Sequence, residues 1–448
     1  VGGWASQGVG ADEESRMLSA VGRAFTTPDL RKKLLFTLGV IALYRLGSTI
    51  PTPGVDSAAV HSCISGAAGN NVYGLVNLFS GGALLQLSVF ALGIMPYITS
   101  SIILQLLTVV IPRLETLKNE GQAGTAAITQ YTRYLTIGLA ILQSTAIIAL
   151  ARSGKLFPSC SATIIPDRGL FRTIVMIFVM TSGTSIIMWL GELITDRGIG
   201  NGMSIMIFTS IAASFPANLW QVKLEATSNG WLLFGIVIAI GLVIMAAIVF
   251  VEQSQRRIPV TYAKRMIGRR MYGGSSTYIP LKINQAGVIP VIFASSLLYI
   301  PALVSNFDST SYWSVWVERH LVSGDHPFYW LVEAVLIIFF TYFYVAITFN
   351  PKEIADNMKK YGGFIPGIRA GRPTEEYLDY VLSRITAPGS LYLALVALIP
   401  LVAIALIGAG SSFPFGGTTI LIIVGVGLDT VKQIESQLQQ RSYEGFLR

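Results

Sequence analysis

Long apolar runs separated by short polar segments dominate this sequence. Five fall at 34–50, 84–111, 134–151, 170–191 and 199–220, and five more at 231–251, 286–304, 328–349, 389–408 and 416–428. A helix needs ~20 apolar residues to cross a bilayer, so the pattern predicts ten transmembrane helices, five in each half. The last run is short and reaches spanning length only through an amphipathic continuation to Ile434. An outer-membrane barrel would instead show ~10-residue alternating segments. The expected class is an all-α polytopic membrane protein.

Composition agrees with that reading. Of 448 residues, 52% are hydrophobic and 12% charged, against ~25% charged in a soluble globular domain. The net charge of +8 matters through its placement, because basic residues mark cytoplasmic loops. With the N-terminus inside, inner segments hold 25 of the 32 Lys and Arg. The outer loops hold six (Arg152, Lys155, Arg168, Arg172, Lys223 and Arg319), and Arg45 lies within the first run. The count predicts both termini in the cytoplasm. Residues 1–16 are Gly-rich and acidic without the apolar core of a signal peptide, and Met17 reads as a more natural start.

Five runs per half would insert the second half upside down relative to the first, and the sequence carries an echo of this. Gly93-Ile-Met-Pro96-Tyr-Ile98-Thr-Ser-Ser101 in the second run matches Gly287-Val-Ile-Pro290-Val-Ile292-Phe-Ala-Ser295 in the seventh at four of nine positions. Proline inside a span removes a backbone hydrogen bond and bends the helix. Gly/Pro-interrupted spans at corresponding places in two halves mark the working site of an inverted-repeat protein. An ion-coupled transporter needs ionisable groups near mid-membrane. Here the second run carries no charge, and Arg45, Glu192, Asp196, Glu333 and Asp429 sit toward run ends, where snorkelling accounts for them. A hydrophobic constriction that closes by dewetting fits better.

Identity comes from short blocks in order. Leu78-Phe-Ser-Gly-Gly-Ala-Leu84, Phe90-Ala-Leu-Gly-Ile-Met-Pro-Tyr-Ile98, Gln130-Tyr-Thr-Arg-Tyr134, Trp189-Leu-Gly-Glu192 and Arg197-Gly-Ile-Gly-Asn-Gly202 occur in the first half. Tyr262-Ala-Lys-Arg265, Ala286-Gly-Val-Ile-Pro290, Phe349-Asn-Pro351 and Pro366-Gly-Ile-Arg369 follow in the second. Together they resemble the SecY family, pore subunits of the bacterial Sec translocon, from about residue 30 to 443. The resemblance implies two inverted five-helix halves, 34–220 and 231–434, around an hourglass pore with a plug near 74–83. Segments 1–33 and 435–448 would be cytoplasmic.

By the same resemblance, the pore ring maps to Ile94, Ile98, Met203, Ile207, Ile292 and Ile422. Met203 departs from the more usual Ile, but its flexible apolar side chain still suits a seal. The plug maps to Leu75, Val76, Leu78 and Phe79, with Gly81 and Gly82 as a hinge. Spans two, three, seven and eight would form a lateral gate containing Pro96 and Pro290, with Gln105, Gln143 and Asn284 bonding across it. The inner loops 252–285 and 350–386 are basic, which orientation alone partly explains. Gly268-Arg-Arg-Met-Tyr272 with its flanks reads as a protruding hairpin. Arg269, Arg270 and Arg369 match positions that dock the ribosome, including its RNA, and the SecA motor ATPase.

SecE and SecG are the partner subunits this resemblance implies; signal peptides, nascent chains and membrane lipids are the other contacts. No catalytic triad, phosphate loop or metal spacing is present, so neither enzymatic activity nor a cofactor is expected. Cys63 and Cys160 both fall in outer loops, where a disulfide is chemically possible; the residues leave the pairing open. The rival readings are an inverted-repeat secondary transporter and a lateral insertase without a through-pore.

Overall fold

A computed structural model describes residues 27–64, 80–154, 164–166, 169–225, 230–262, 265–267, 270–272, 276–305, 311–322, 326–407 and 417–446. Each of the ten apolar runs overlaps a helix. In chain order these are α1 (Pro28–Thr49), α3 (Met95–Val110), α5 (Gln122–Arg152), α6 (Leu170–Arg197) and α7 (Gly202–Glu225), then α8 (Gly230–Gln253), α9 (Ile289–Ser305), α11 (Pro327–Thr348), α13 (Arg372–Ile407) and α14 (Gly417–Phe446). Shorter helices α2 (Ser57–Ile64), α4 (Pro112–Asn119), α10 (Tyr312–Val317) and α12 (Pro351–Lys360) connect them. Among the described residues, five helices are long and apolar enough to cross a membrane, or six if the bent α3–α4 pair is one span. That pair turns through 105° at Ile111, because Pro112 pushes its predecessor out of the helical region.

The second and seventh runs correct the expectation drawn from their prolines. Helix α3 does not begin at residue 84: residues 80–94 form successive turns, with positive φ at Gly81, Gly82, Leu87 and Gly93. Pro96 then falls in the first turn of α3, and Pro290 is the second residue of α9, which follows Gly287 at φ +61°. A proline there costs no hydrogen bond, since first-turn N–H groups have no intrahelical acceptor. The repeated Gly-x-x-Pro is therefore a helix-starting device. A left-handed glycine turns the chain, and the proline fixes the first helical φ. It does not bend a continuous span.

Most other bounds shift outward. Helix α5 starts at Gln122, α13 at Arg372 and α14 runs on to Phe446, because amphipathic turns extend these helices beyond their apolar stretches. The expected hairpin is present. Strand β1 (Gln255–Tyr262) pairs antiparallel with β4 (Ser276–Lys282), and β2 (Arg265–Ile267) pairs with β3 (Arg270–Tyr272) between them. Strand β5 (Gly363–Phe364) adds to β1 through Thr261 and Tyr262.

Candidate pore, gate and docking surface

Five of the six candidate ring residues are buried in one apolar cluster. Ile94, Ile98, Ile207, Ile292 and Ile422 share it, and Met203 packs against its edge. They arrive there from α3, its preceding turn, α7, α9 and α14, so both halves contribute. Ile94 is held at the entry to α3 by the Gly93 turn, and Ile98 follows one helical turn later. Nothing in this set carries charge, and the cluster closes by apolar contact alone.

The four helices expected at a gate form a row: α5 packs on α3, α3 on α9, and α9 on α11. Polar side chains near the α3–α9 seam are satisfied on their own side. Ser100 Oγ donates to Thr132 O at 3.0 Å and lies 2.6 Å from Thr136 Oγ1, tying α3 to α5. Ser295 and Ser296 donate to the carbonyls of Val291 and Ile292 within α9. The expected bonds across the gate are absent from the candidates that the sequence offered. Asn284 Nδ2 donates to Glu252 Oε2 at 3.0 Å and to Gly287 O at 3.1 Å, joining the end of α8 to the turn before α9. Gln105 and Gln143 make no side-chain hydrogen bond among the described residues, although Gln143 is buried. The seam itself is apolar, because short Ser and Thr side chains reach their own backbone more readily than a facing helix.

Leu75, Val76, Leu78 and Phe79 lie outside the described residues, so of the segment expected to form a plug only the part from Ser80 onward is described. There Arg45 Nη1 donates to Gly81 O at 3.0 Å. Tyr44 OH bonds Ser210 Oγ at 2.6 Å and donates to Ser80 O at 3.4 Å. Gly81 leaves a side chain little room: a Cβ would lie 3.1 Å from Arg45 Nη1 and 3.2 Å from Ser210 Cα, at a positive φ. This end is held between α1 and α7. Only Gly82, with open space around it, is unhindered.

Three of the charges expected to snorkel, Arg45, Glu192 and Asp429, instead have specific partners. Arg45 holds Gly81. Arg133 grips Glu192 through Nε at 2.9 Å and Nη2 at 2.7 Å, and Lys282 reaches Asp429 at 3.4 Å. Glu333 is 2% exposed on α11, and its Oε2 has no hydrogen-bond partner. A single sequence shows that these residues sit near span ends, but not which distant residue faces them.

Cys63 on α2 is disulfide-bonded and buried in the second apolar cluster, against Val60 and Leu84. The chain's only other cysteine, Cys160, lies outside the described residues. An alkylating reagent applied to the denatured protein should therefore find no thiol before reduction and two after it. Two reactive thiols in unreduced protein would refute the bond.

The two basic loops form one body. Ile258, Val260 and Leu281 of the hairpin pack with Met358 of α12, Ile365, and Leu378, Val381 and Ile385 of α13. Arg369 is exposed at the turn joining β5 to α13, and its carbonyl accepts from Thr374 Oγ1 at 2.9 Å. Arg269 lies outside the described residues. Arg270 opens β3, with its backbone described and its side chain not. Sequence reading treated these loops as separate, since a pairing such as Thr261 with Phe364 leaves no local signature.

These features define a multi-pass helical membrane protein with an apolar seam between its halves and a basic body beside it. The SecY family model matches residues 88–431. The protein translocase subunit SecY of Streptomyces galbus is 69% identical over 437 residues, spanning 96% of this chain and all of that one. That of Mycobacterium bovis is 59% identical over 446 residues, with the same coverage. This chain belongs to the SecY family. The fold is shared with a solved protein-conducting channel at TM-score 0.61 and 18% identity, over 90% of this chain and 91% of that one. It is shared equally widely with Sec61 in a canine ribosome–channel complex from the endoplasmic reticulum, at TM-score 0.58 and 17% identity.

Proposed function

We propose that this chain is the protein-conducting pore of a bacterial Sec translocon. Unfolded secretory polypeptides pass through the apolar ring, and transmembrane segments leave sideways between α3 and α9. The observation that carries this reading is the row α5–α3–α9–α11, with a seam whose neighbouring polar groups are satisfied on their own sides. Such a seam opens without breaking hydrogen bonds and offers an entering apolar segment the surface it has just exposed. Recognition then needs only apolar burial, worth about 25 cal/mol per Å², and this accommodates signal peptides of any sequence.

In this reading Ile94, Ile98, Met203, Ile207, Ile292 and Ile422 form the seal. Both termini and the basic body face the cytoplasm of a bacterium, with the chain in its plasma membrane. SecE braces the two halves, SecG lies alongside, and SecA or a translating ribosome supplies the driving force. The first test places a photoreactive residue at Ile292 during translation of a stalled secretory chain. A crosslink to the nascent polypeptide that moves with chain length is the expected result. Ribosome docking without any crosslink from Ile292 or Ile94 would transfer the role to a lateral insertase path.

A further inference from the structure

Helix α10 reads Tyr312-Trp-Ser-Val-Trp-Val317. Ser314 and Val317, three apart on one face, are buried, whereas Tyr312 is 87% exposed and Trp313, Val315 and Trp316 are exposed with it. So dense an outward apolar patch marks an interaction surface. Its place in the fold is set by its neighbours. Helix α9 starts beside the hairpin after the Gly287 turn, and α11 ends just before α12 and the basic body. Helix α10 lies between the other ends of these two helices. It packs on α9, and the single π-helical turn after it, Glu318–Val322, packs on both α9 and α11. Val317 shares a buried cluster with Leu298 of α9 and Tyr329 of α11.

The outward face of α10 continues a longer apolar surface. On α11, Phe328, Leu331, Val335, Phe339 and Tyr342 are all exposed and recur every three or four residues, so they form one stripe. The segment that carries them is apolar and long enough to cross a membrane. Phe328 is the first member of the stripe, and its ring meets Trp316 edge-on at 5.7 Å between centroids. Trp316 also stacks on His320 at 4.9 Å, which holds its indole in place. Depth follows from length. The 22 residues of α11 rise about 33 Å, close to the ~30 Å of hydrocarbon in a bilayer. Pro327 at its start, and α10 beside it, therefore fall where acyl chains give way to headgroups. Trp and Tyr collect at that depth, because an amphipathic ring suits both sides of the boundary. Arg319, exposed in the π-helical turn, would be costly any deeper.

We propose that α10 is an interfacial anchor: Tyr312, Trp313, Val315 and Trp316 enter phospholipid between headgroup and acyl chain, in the leaflet opposite the basic body, and Val317 ties them to α9. The lipid is recognised by burial of amphipathic rings and not by headgroup charge. Helix α9 is then held differently at its two ends. The Asn284 turn joins its start to the end of α8, and lipid fixes the depth of its far end. The anchor depends on neither the pore nor the gate; only its bearing on how α9 moves rests on the function proposed above. A partner chain, or a second copy of this one, is the competing occupant of the face.

The test is nitroxide labelling of Trp313→Cys and Val315→Cys, made singly and reconstituted into vesicles of phosphatidylethanolamine and phosphatidylglycerol. Each change leaves three of the four outward side chains in place, and the unsubstituted protein, whose Cys63 is disulfide-bonded, supplies the background. Collisions with oxygen, which concentrates in the bilayer, are compared with collisions with a polar nickel chelate, which is kept out of it. Lys360→Cys, at an exposed position on the basic body, gives the value for water. The oxygen-to-nickel ratio is expected to be about tenfold higher at both α10 positions than at Lys360, since the chelate pays to leave water. A ratio equal to that at Lys360 means that water covers the face, and overturns the proposal. Shielding from both reagents means that protein covers it, which overturns the proposal as well. If neither variant folds, the wild-type protein decides the matter. A phospholipid with a diazirine at the head of its acyl chain should label residues 312–316 together with Leu331, and labelling of Leu331 alone overturns the anchor. Lipid contact at α10 without any crosslink from Ile292 would leave the anchor standing and remove only its bearing on gating.

Discussion

Replacing Ile94, Ile98 and Ile292 together with Asn should turn a tight membrane protein into an ion leak. All three are buried in one apolar cluster, drawn from both sides of the seam. An aliphatic constriction stays closed because water gains nothing by entering it. Three carboxamides would let water hydrogen-bond through the same space. Losing as little as ~1.4 kcal/mol of the barrier speeds permeation about tenfold, and each buried Ile contributes more than that to the apolar surface. Ion flux from loaded proteoliposomes measures the change directly. Ile→Leu at the same three positions keeps the seal and controls for disturbed packing. A triple Asn variant that inserts, stays folded and remains as tight as wild type would remove these residues from the ring.

That outcome also bears on what a sequence can disclose. The candidate ring positions rest on a resemblance carried by blocks such as Phe90-Ala-Leu-Gly-Ile-Met-Pro-Tyr-Ile98, and what the structure adds is that they meet in one apolar cluster. The helices were legible because hydrophobicity at spanning length is a local signal. Pro96 and Pro290 were misread for a physical reason. The residue type says that a backbone N–H is missing, but only the positive φ of Gly93 and Gly287 places that absence in a first helical turn, where it is harmless. The Arg133–Glu192 pair joins residues on different helices, and the expected gate bond of Asn284 went to Glu252. Partner choice among distant polar residues is set by the packed fold, and periodicity carries no record of it.

The basic body offers a second large effect, and one with a different physical signature. Reversing Arg369 to Glu should weaken binding of translating ribosomes to reconstituted protein about tenfold at low salt, since like charges facing one another across an interface cost several kcal/mol. Arg369 sits exposed on a turn whose shape is set elsewhere. Thr374 holds its backbone carbonyl, and Ile365 anchors the preceding strand in the cluster shared by the hairpin, α12 and α13. The side chain is thus free to change without unfolding its support. Because the contact is electrostatic and at the surface, raising the ionic strength should shrink the difference between variant and wild type as the Debye length falls toward 3 Å near 1 M salt. Arg369→Lys should retain most of the binding. A charge reversal that leaves ribosome binding intact at every salt concentration would move docking off this turn, to the hairpin carrying Arg270. A loss that ignores salt would mean that the arginine acts through the packing of the body and not through its charge.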